Sequence, residues 1–177
     1  MAPRYATTLI AALVLALLSS ALPAPALAQP NTKPGDIQAQ IDAHLKAFPG
    51  GVQTGPYEIT YDNGEFVMTF ARTGFSPSGT ADCPHGWFCF YDSINFGYPR
   101  GKLSDCGWQD LARWGWANRT ESAHYNLDYG SVAFIRHATG ETYHDFDVAV
   151  FGMGSIQQTL SDVWPYRNET DHVQRYC

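Results

Sequence analysis

The sequence predicts a mainly β protein, a small sandwich or barrel of short strands preceded by one helix and a hairpin. Three observations carry this. Apolar residues cluster in short runs, "WFCFY" at 87–91, "SVAFIRH" at 131–137 and "DVAVFGM" at 147–153, with turn residues between them; that is the pattern of strands. Asn63-Gly64 stands between two β-rich runs, where such a pair supplies the left-handed residues a tight hairpin needs. Helical spacing marks a single stretch, in which Ile37, Ile41, Leu45 and Phe48 form one apolar stripe.

Along the chain, residues 1–28 read as a secretory signal peptide. Arg4 gives a short positive start, "LIAALVLALLSS" from Leu9 to Ser20 is a short apolar core, and Ala26-Leu27-Ala28 is an A-x-A cleavage site. A membrane anchor is the weaker reading, because no second apolar run follows. Residues 29–35 are Pro-rich and polar, a disordered lead. Asp36 caps the predicted helix, and Pro49-Gly50-Gly51 stops it. "YEITYDNGEFVMTF" (57–70) is the hairpin. Residues 36–70 thus form a helix-plus-hairpin segment, 71–80 a Ser/Pro/Gly/Thr linker, and 81–177 the cysteine-bearing β domain.

The last part holds a faint repeat. "LARWGWANRTESA" (111–123) and "LSDVWPYRNETDHV" (160–173) share Leu, then Trp, then Asn-x-Thr and an acid. A β-unit duplicated once, each copy too small to close its own core, gives such spacing. Asn118-Arg119-Thr120 and Asn168-Glu169-Thr170 are also glycosylation sequons.

An export signal changes what cysteine means, because thiols outside the cytoplasm oxidise. Cys83, Cys89, Cys106 and Cys177 are an even set, expected as disulfides, with three pairings open. Zinc wants ligand pairs two to four residues apart. Cys83 and Cys89 have five residues between them, and no second close pair exists. A formal net charge of −6 argues against nucleic acid and anionic lipid as partners. Once the signal is removed, no membrane association is expected.

Trp87, Trp108, Trp114, Trp116 and Trp164 are expected mostly to build the core between two sheets. Trp114 and Trp116 are the best candidates for the lesser alternative, an exposed platform. Catalysis has thin support. "YHDFD" at 143–147 is the densest acidic cluster, but on a strand Asp145 and Asp147 point away from His144. A polar edge or loop is the preferred reading. No Gly-x-Ser-x-Gly, His-Glu-x-x-His or phosphate loop occurs. The chain is therefore read as a non-enzyme without a cofactor.

"CPHGWFC" followed by "FYDSINFG" resembles the opening of secreted peptidase inhibitors of the metalloproteinase-inhibitor type, which have a βγ-crystallin-like fold. Tyr91, Asn95 and Phe96 match the aromatic corner of that fold, and Gly97 comes one residue early. "LSDCGWQDLARWGWANRTESA" (103–123) is similar to the middle of these proteins, and 36–70 resembles a leader that precedes them. The resemblance implies a two-Greek-key sandwich and inhibition of an extracellular, metal-dependent peptidase. It also points to Thr139, Gly140, Glu141 and Thr142, between "SVAFIRH" and "DVAVFGM", as the partner-binding loop. The expected bridges are Cys83–Cys89, whose loop holds Pro84 and Gly86, and by elimination Cys106–Cys177. Crystallin relatives bind calcium through loops matching 117–122 and 167–172. Each loop here lacks the first acid or amide and carries an arginine, Arg119 or Arg167, so no metal is expected. The rival reading is a secreted, non-catalytic binding module for cell-surface or polysaccharide ligands. The oligomeric state is not legible.

Overall fold

Helix α1 runs from Pro34 to Ala47 and buries its Ile37 and Ile41 stripe against the first strands. The computed structural model describes residues 34–70, 79–137, 147–154 and 159–177. Among these residues eleven strands follow in two antiparallel sheets. They are β1 (Val52–Gly55), β2 (Glu58–Tyr61), β3 (Phe66–Thr69), β4 (Trp87–Ser93), β5 (Gly97–Leu103), β6 (Gly107–Asp110), β7 (Ser122–Asn126), β8 (Ser131–His137), β9 (Asp147–Gly154), β10 (Thr159–Leu160) and β11 (His172–Tyr176). The larger sheet has the order β1-β2-β3-β5-β4-β7-β10, the smaller β6-β11-β8-β9. Among the described residues, no helix is long and apolar enough to cross a membrane.

The hairpin at 57–70 forms as β2 and β3, turning through Asp62, Asn63 and Gly64, all at positive φ. It is not left marginal. β3 pairs with β5, Phe66 opposite Leu103 and Met68 opposite Gly101, so residues 58–69 extend the sheet of the cysteine-bearing part. One core cluster joins Ile37, Ile41 and Ile59 to Phe90, Trp116, Tyr125 and Phe134.

"NFGYPRG" (95–101) reads as an exposed connection from sequence, yet most of it is β5, lying between β3 and β4. Gly101 is the reason. A Cβ there would meet the Phe90 and Phe66 rings, so the bare backbone lets both rings lie across the strand. Pro99 falls where the β4–β5 register shifts, between Tyr91 and Ser93, and past the end of the β3 pairing; a residue without an N–H is tolerated there. The aromatic corner also differs in detail. Tyr91 packs edge-on against Phe96, and the space over Gly97 is filled by Ser93.

The repeat has a physical meaning. Residues 87–126 and 131–176 each supply four strands. Within each unit the first strand pairs with the second and the fourth: β4 with β5 and β7, β8 with β9 and β11. The third strand crosses over, so that β6 pairs with β11 of the other unit and β10 with β7. The Asn-x-Thr turns meet reciprocally. Asn118 N–H donates to the Thr170 carbonyl at 2.8 Å, and Asn168 N–H to the Thr120 carbonyl at 3.0 Å. Their side-chain amides donate to Asp171 and Glu121, each at 2.9 Å. Both asparagines sit at φ 57°, a left-handed position their short polar side chain tolerates, and both threonines are buried. The two sequons are a structural clasp.

Two disulfides are present, Cys83–Cys89 and Cys106–Cys177. Beside the first lies a buried ionic cluster. Arg100, 4% exposed, meets the Asp82 carboxylate at 3.0 Å and donates to the Asp82 carbonyl and to Thr69 Oγ1. The phenols of Tyr91 and Tyr98 donate to the same carboxylate. Burial, and then the Asp82 charge, raise the Tyr91 pKa far above its ordinary value.

His44 sits among Phe48, Tyr61 and Phe70. Burial first, and the Arg119 charge second, hold its pKa below 6.5, against a backbone hydrogen bond with Trp114. Burial also lowers His124. A depressed imidazole leaves stability fully present above the unfolded value of about 6.5. That stability is lost as pH falls from there through the folded values, because the unfolded chain takes up the proton first. Urea midpoints should therefore decline below pH 6.5, and His44→Phe should make the decline shallower. Parallel declines in the two proteins would show that His44 does not contribute.

Candidate functional site at the base of the β8–β9 connection

The loop residues singled out from sequence, Thr139, Gly140, Glu141 and Thr142, lie outside the described residues, as do Tyr143, His144 and Asp145. The strands that carry them are described. His137 ends β8 and is paired with Asp147, the first residue of β9. The base of the connection is therefore built by His137 and its neighbours.

Those neighbours come from three elements. Asp171, in the second Asn-x-Thr turn, accepts the His137 N–H on Oδ2 at 2.9 Å and the Asn118 amide on Oδ1 at 2.9 Å. Arg136 pairs with Glu169 of the same turn. β11 begins at His172, whose Nε2 lies 2.8 Å from Nε2 of His137. On β6, Asp110 stands opposite His172 and places Oδ1 3.4 Å from His172 Nδ1. The same oxygen accepts the Ala112 N–H at 2.9 Å, which fixes the carboxylate. The Trp108 ring lies 4.6 Å from the His172 ring and is 46% exposed. Chemically this is an imidazole pair with a carboxylate behind one ring and an indole over it. It can share a proton, offer two nitrogen ligands, or present an aromatic face. Among the described residues, no group of three or more His, Cys, Asp or Glu converges as a metal cage.

The tryptophans follow expectation in part. Trp114 and Trp116 are fully buried, in the core as expected rather than on an exposed platform. They lie not on a strand but in and just after a 3-10 turn, Leu111–Trp114. Trp114 stacks on Phe66 at 4.7 Å, and Trp116 meets Phe90 edge-on at 5.2 Å. Trp108 and Trp164, expected in the core, are 46% and 73% exposed. The strand reading failed at Trp114 because Gly115, at φ 68°, turns the chain and receives the Phe48 ring on its bare Cα.

His137 and His172 were missed because they are 35 residues apart and meet through the β8–β11 pairing and the Asp171 turn. The repeat held a partial signal. His172 follows the second Asn-x-Thr-acid motif as Ser122 follows the first. Ser122 Oγ accepts the Phe96 N–H and donates to the Ser93 carbonyl, so this position faces the neighbouring strand end in both units.

The two loops compared with calcium sites have their groups engaged within the protein. Arg119 holds Asp92 with two hydrogen bonds of 3.0 Å, and Arg167 holds Asp162. The Asp171 and Glu121 carboxylates accept the two asparagine amides. A hard cation needs several free oxygens. Millimolar calcium should leave the melting temperature nearly unchanged, whereas binding to the native state would raise it by mass action. A shift of many degrees would show that these pairs open for the ion.

Comparison of the chain with known protein families, curated proteins and solved structures found no match.

Proposed function

We propose that the chain is a secreted, non-catalytic protein of βγ-crystallin-like, two-Greek-key build. In this reading it acts as a peptidase inhibitor, with residues 139–142 meeting the cleft of an extracellular metal-dependent peptidase. The observation that carries the reading is the anchored base of the β8–β9 connection, where Asp171, His172 and the pairing of β8 with β9 and β11 fix the last residues of β8. A segment held at a fixed base loses less freedom on binding, and recognition tends to sit on connections carried by rigid strands. The exchanged third strands of the two units support the fold assignment. The export signal and two disulfides are compatible with life outside the cell.

The test is a panel of metallo- and serine peptidases assayed with the mature protein. Inhibition of at least one metallopeptidase is expected. Replacing Thr139-Gly140-Glu141-Thr142 with a Gly/Ser segment of equal length should abolish it while leaving the melting temperature nearly unchanged. Full inhibition by that variant would move the site elsewhere, and no inhibition by the wild type would end the proposal. A second reading, a polysaccharide-binding module, is favoured by the exposure of Trp108 and Trp164. A glycan pull-down that weakens in Trp164→Ala would support it.

A further inference from the structure

We propose that His137 and His172 form a binding site for a borderline divalent transition-metal ion, such as Zn²⁺ or Cu²⁺, with Asp110 as the residue that orients His172. The inference does not depend on peptidase inhibition.

The two Nε2 atoms face each other at 2.8 Å, close enough that one proton lies between them. Asp110 Oδ1 stands 3.4 Å from His172 Nδ1, an ion-pair contact rather than a hydrogen bond, and its charge favours the tautomer with the proton on Nδ1. That leaves the Nε2 lone pair of His172 pointing at His137, which is the ligating form of an imidazole. A metal ion can replace the shared proton. Zinc binds imidazole nitrogen at about 2.0–2.1 Å, so two tetrahedral ligands stand roughly 3.3 Å apart. The pair need open by only about half an ångström to reach that separation.

The supporting groups are in place before any ion arrives. Asp110 is held by the Ala112 N–H, the His172 ring lies under Trp108, and His137 is held through its backbone by Asp171. A carboxylate behind a ligating imidazole fixes the ring and raises its basicity. Imidazole nitrogens select zinc and copper over hard, oxygen-seeking calcium. Two protein ligands leave the remaining positions to water.

The mature protein would be titrated at neutral pH with zinc chloride by calorimetry, and with copper chloride by tryptophan fluorescence. One Zn²⁺ per chain is expected. Cu²⁺ should quench emission, because Trp108 lies against the proposed ligand. His137→Gln, at the less buried member of the pair, should weaken binding at least tenfold. Asp110→Asn should weaken it by about tenfold without abolishing it, the usual range for an orienting partner. Trp108→Phe should keep the zinc affinity and lose most of the copper quenching. His85→Asn, at an exposed histidine paired with Asp128, should bind as the wild type does. Absence of binding up to millimolar zinc would overturn the proposal. So would unchanged affinity in His137→Gln, or loss of binding in His85→Asn.

Discussion

Replacing Asp82 by Ala should destabilise the protein by about 3–5 kcal/mol, the cost of leaving a buried charge without its partner. Arg100 is almost wholly enclosed, and its guanidinium meets the Asp82 carboxylate at 3.0 Å. The remaining hydrogen bonds, to the Asp82 carbonyl and Thr69 Oγ1, are to neutral acceptors. The same substitution takes the acceptor from the phenols of Tyr91 and Tyr98. Urea denaturation of the wild type, Asp82→Ala, and the double variant Asp82→Ala/Arg100→Leu would measure it. The double variant should be more stable than the single, since it removes the stranded cation along with its partner. A single-variant loss under about 1 kcal/mol, the size of an exposed pair, would show that water reaches Arg100.

Removal of the Cys106–Cys177 bridge by paired alanine substitution should cost about 4 kcal/mol, and removal of Cys83–Cys89 only about 2 kcal/mol. The bridges span 71 and 6 positions, and a longer closed loop restricts the unfolded chain more. The native strands hold the long bridge's ends together, because β6 and β11 pair with Gly107 opposite Arg175. Its stabilisation therefore acts on the unfolded chain. Equal losses in the two variants, or a larger loss from the short bridge, would show that native contacts around Cys83 outweigh the loop term.

Local signals carried much of the fold. The helix stripe, the Asn63-Gly64 turn and the apolar runs at 87–91, 131–137 and 147–153 each became the predicted kind of element. These depend on neighbours within a few residues. What failed depended on distant partners. Residues 97–103 contain two glycines and a proline, which locally describe a turn, and only Phe66 and Phe90 make Gly101 a strand position. β1, four residues with mostly exposed side chains, offers no alternation to read. Trp114 and Trp116 are core residues as expected, but in a stretch that turns rather than on a strand. The candidate site was least legible, since His137, His172, Asp110 and Trp108 are brought together by pairing among β6, β8 and β11.

The exchange of third strands fixes when the fold can be completed as the chain is made. Among the described residues β6 has β11 as its only neighbour in the sheet, and β10 reaches back to β7. A ribosome therefore delivers the first unit with a gap at the edge of its sheet and one strand that has nowhere to lie. Neither sheet has its full set of strands until the second unit emerges, residues 159–160 for the larger and 172–176 for the smaller.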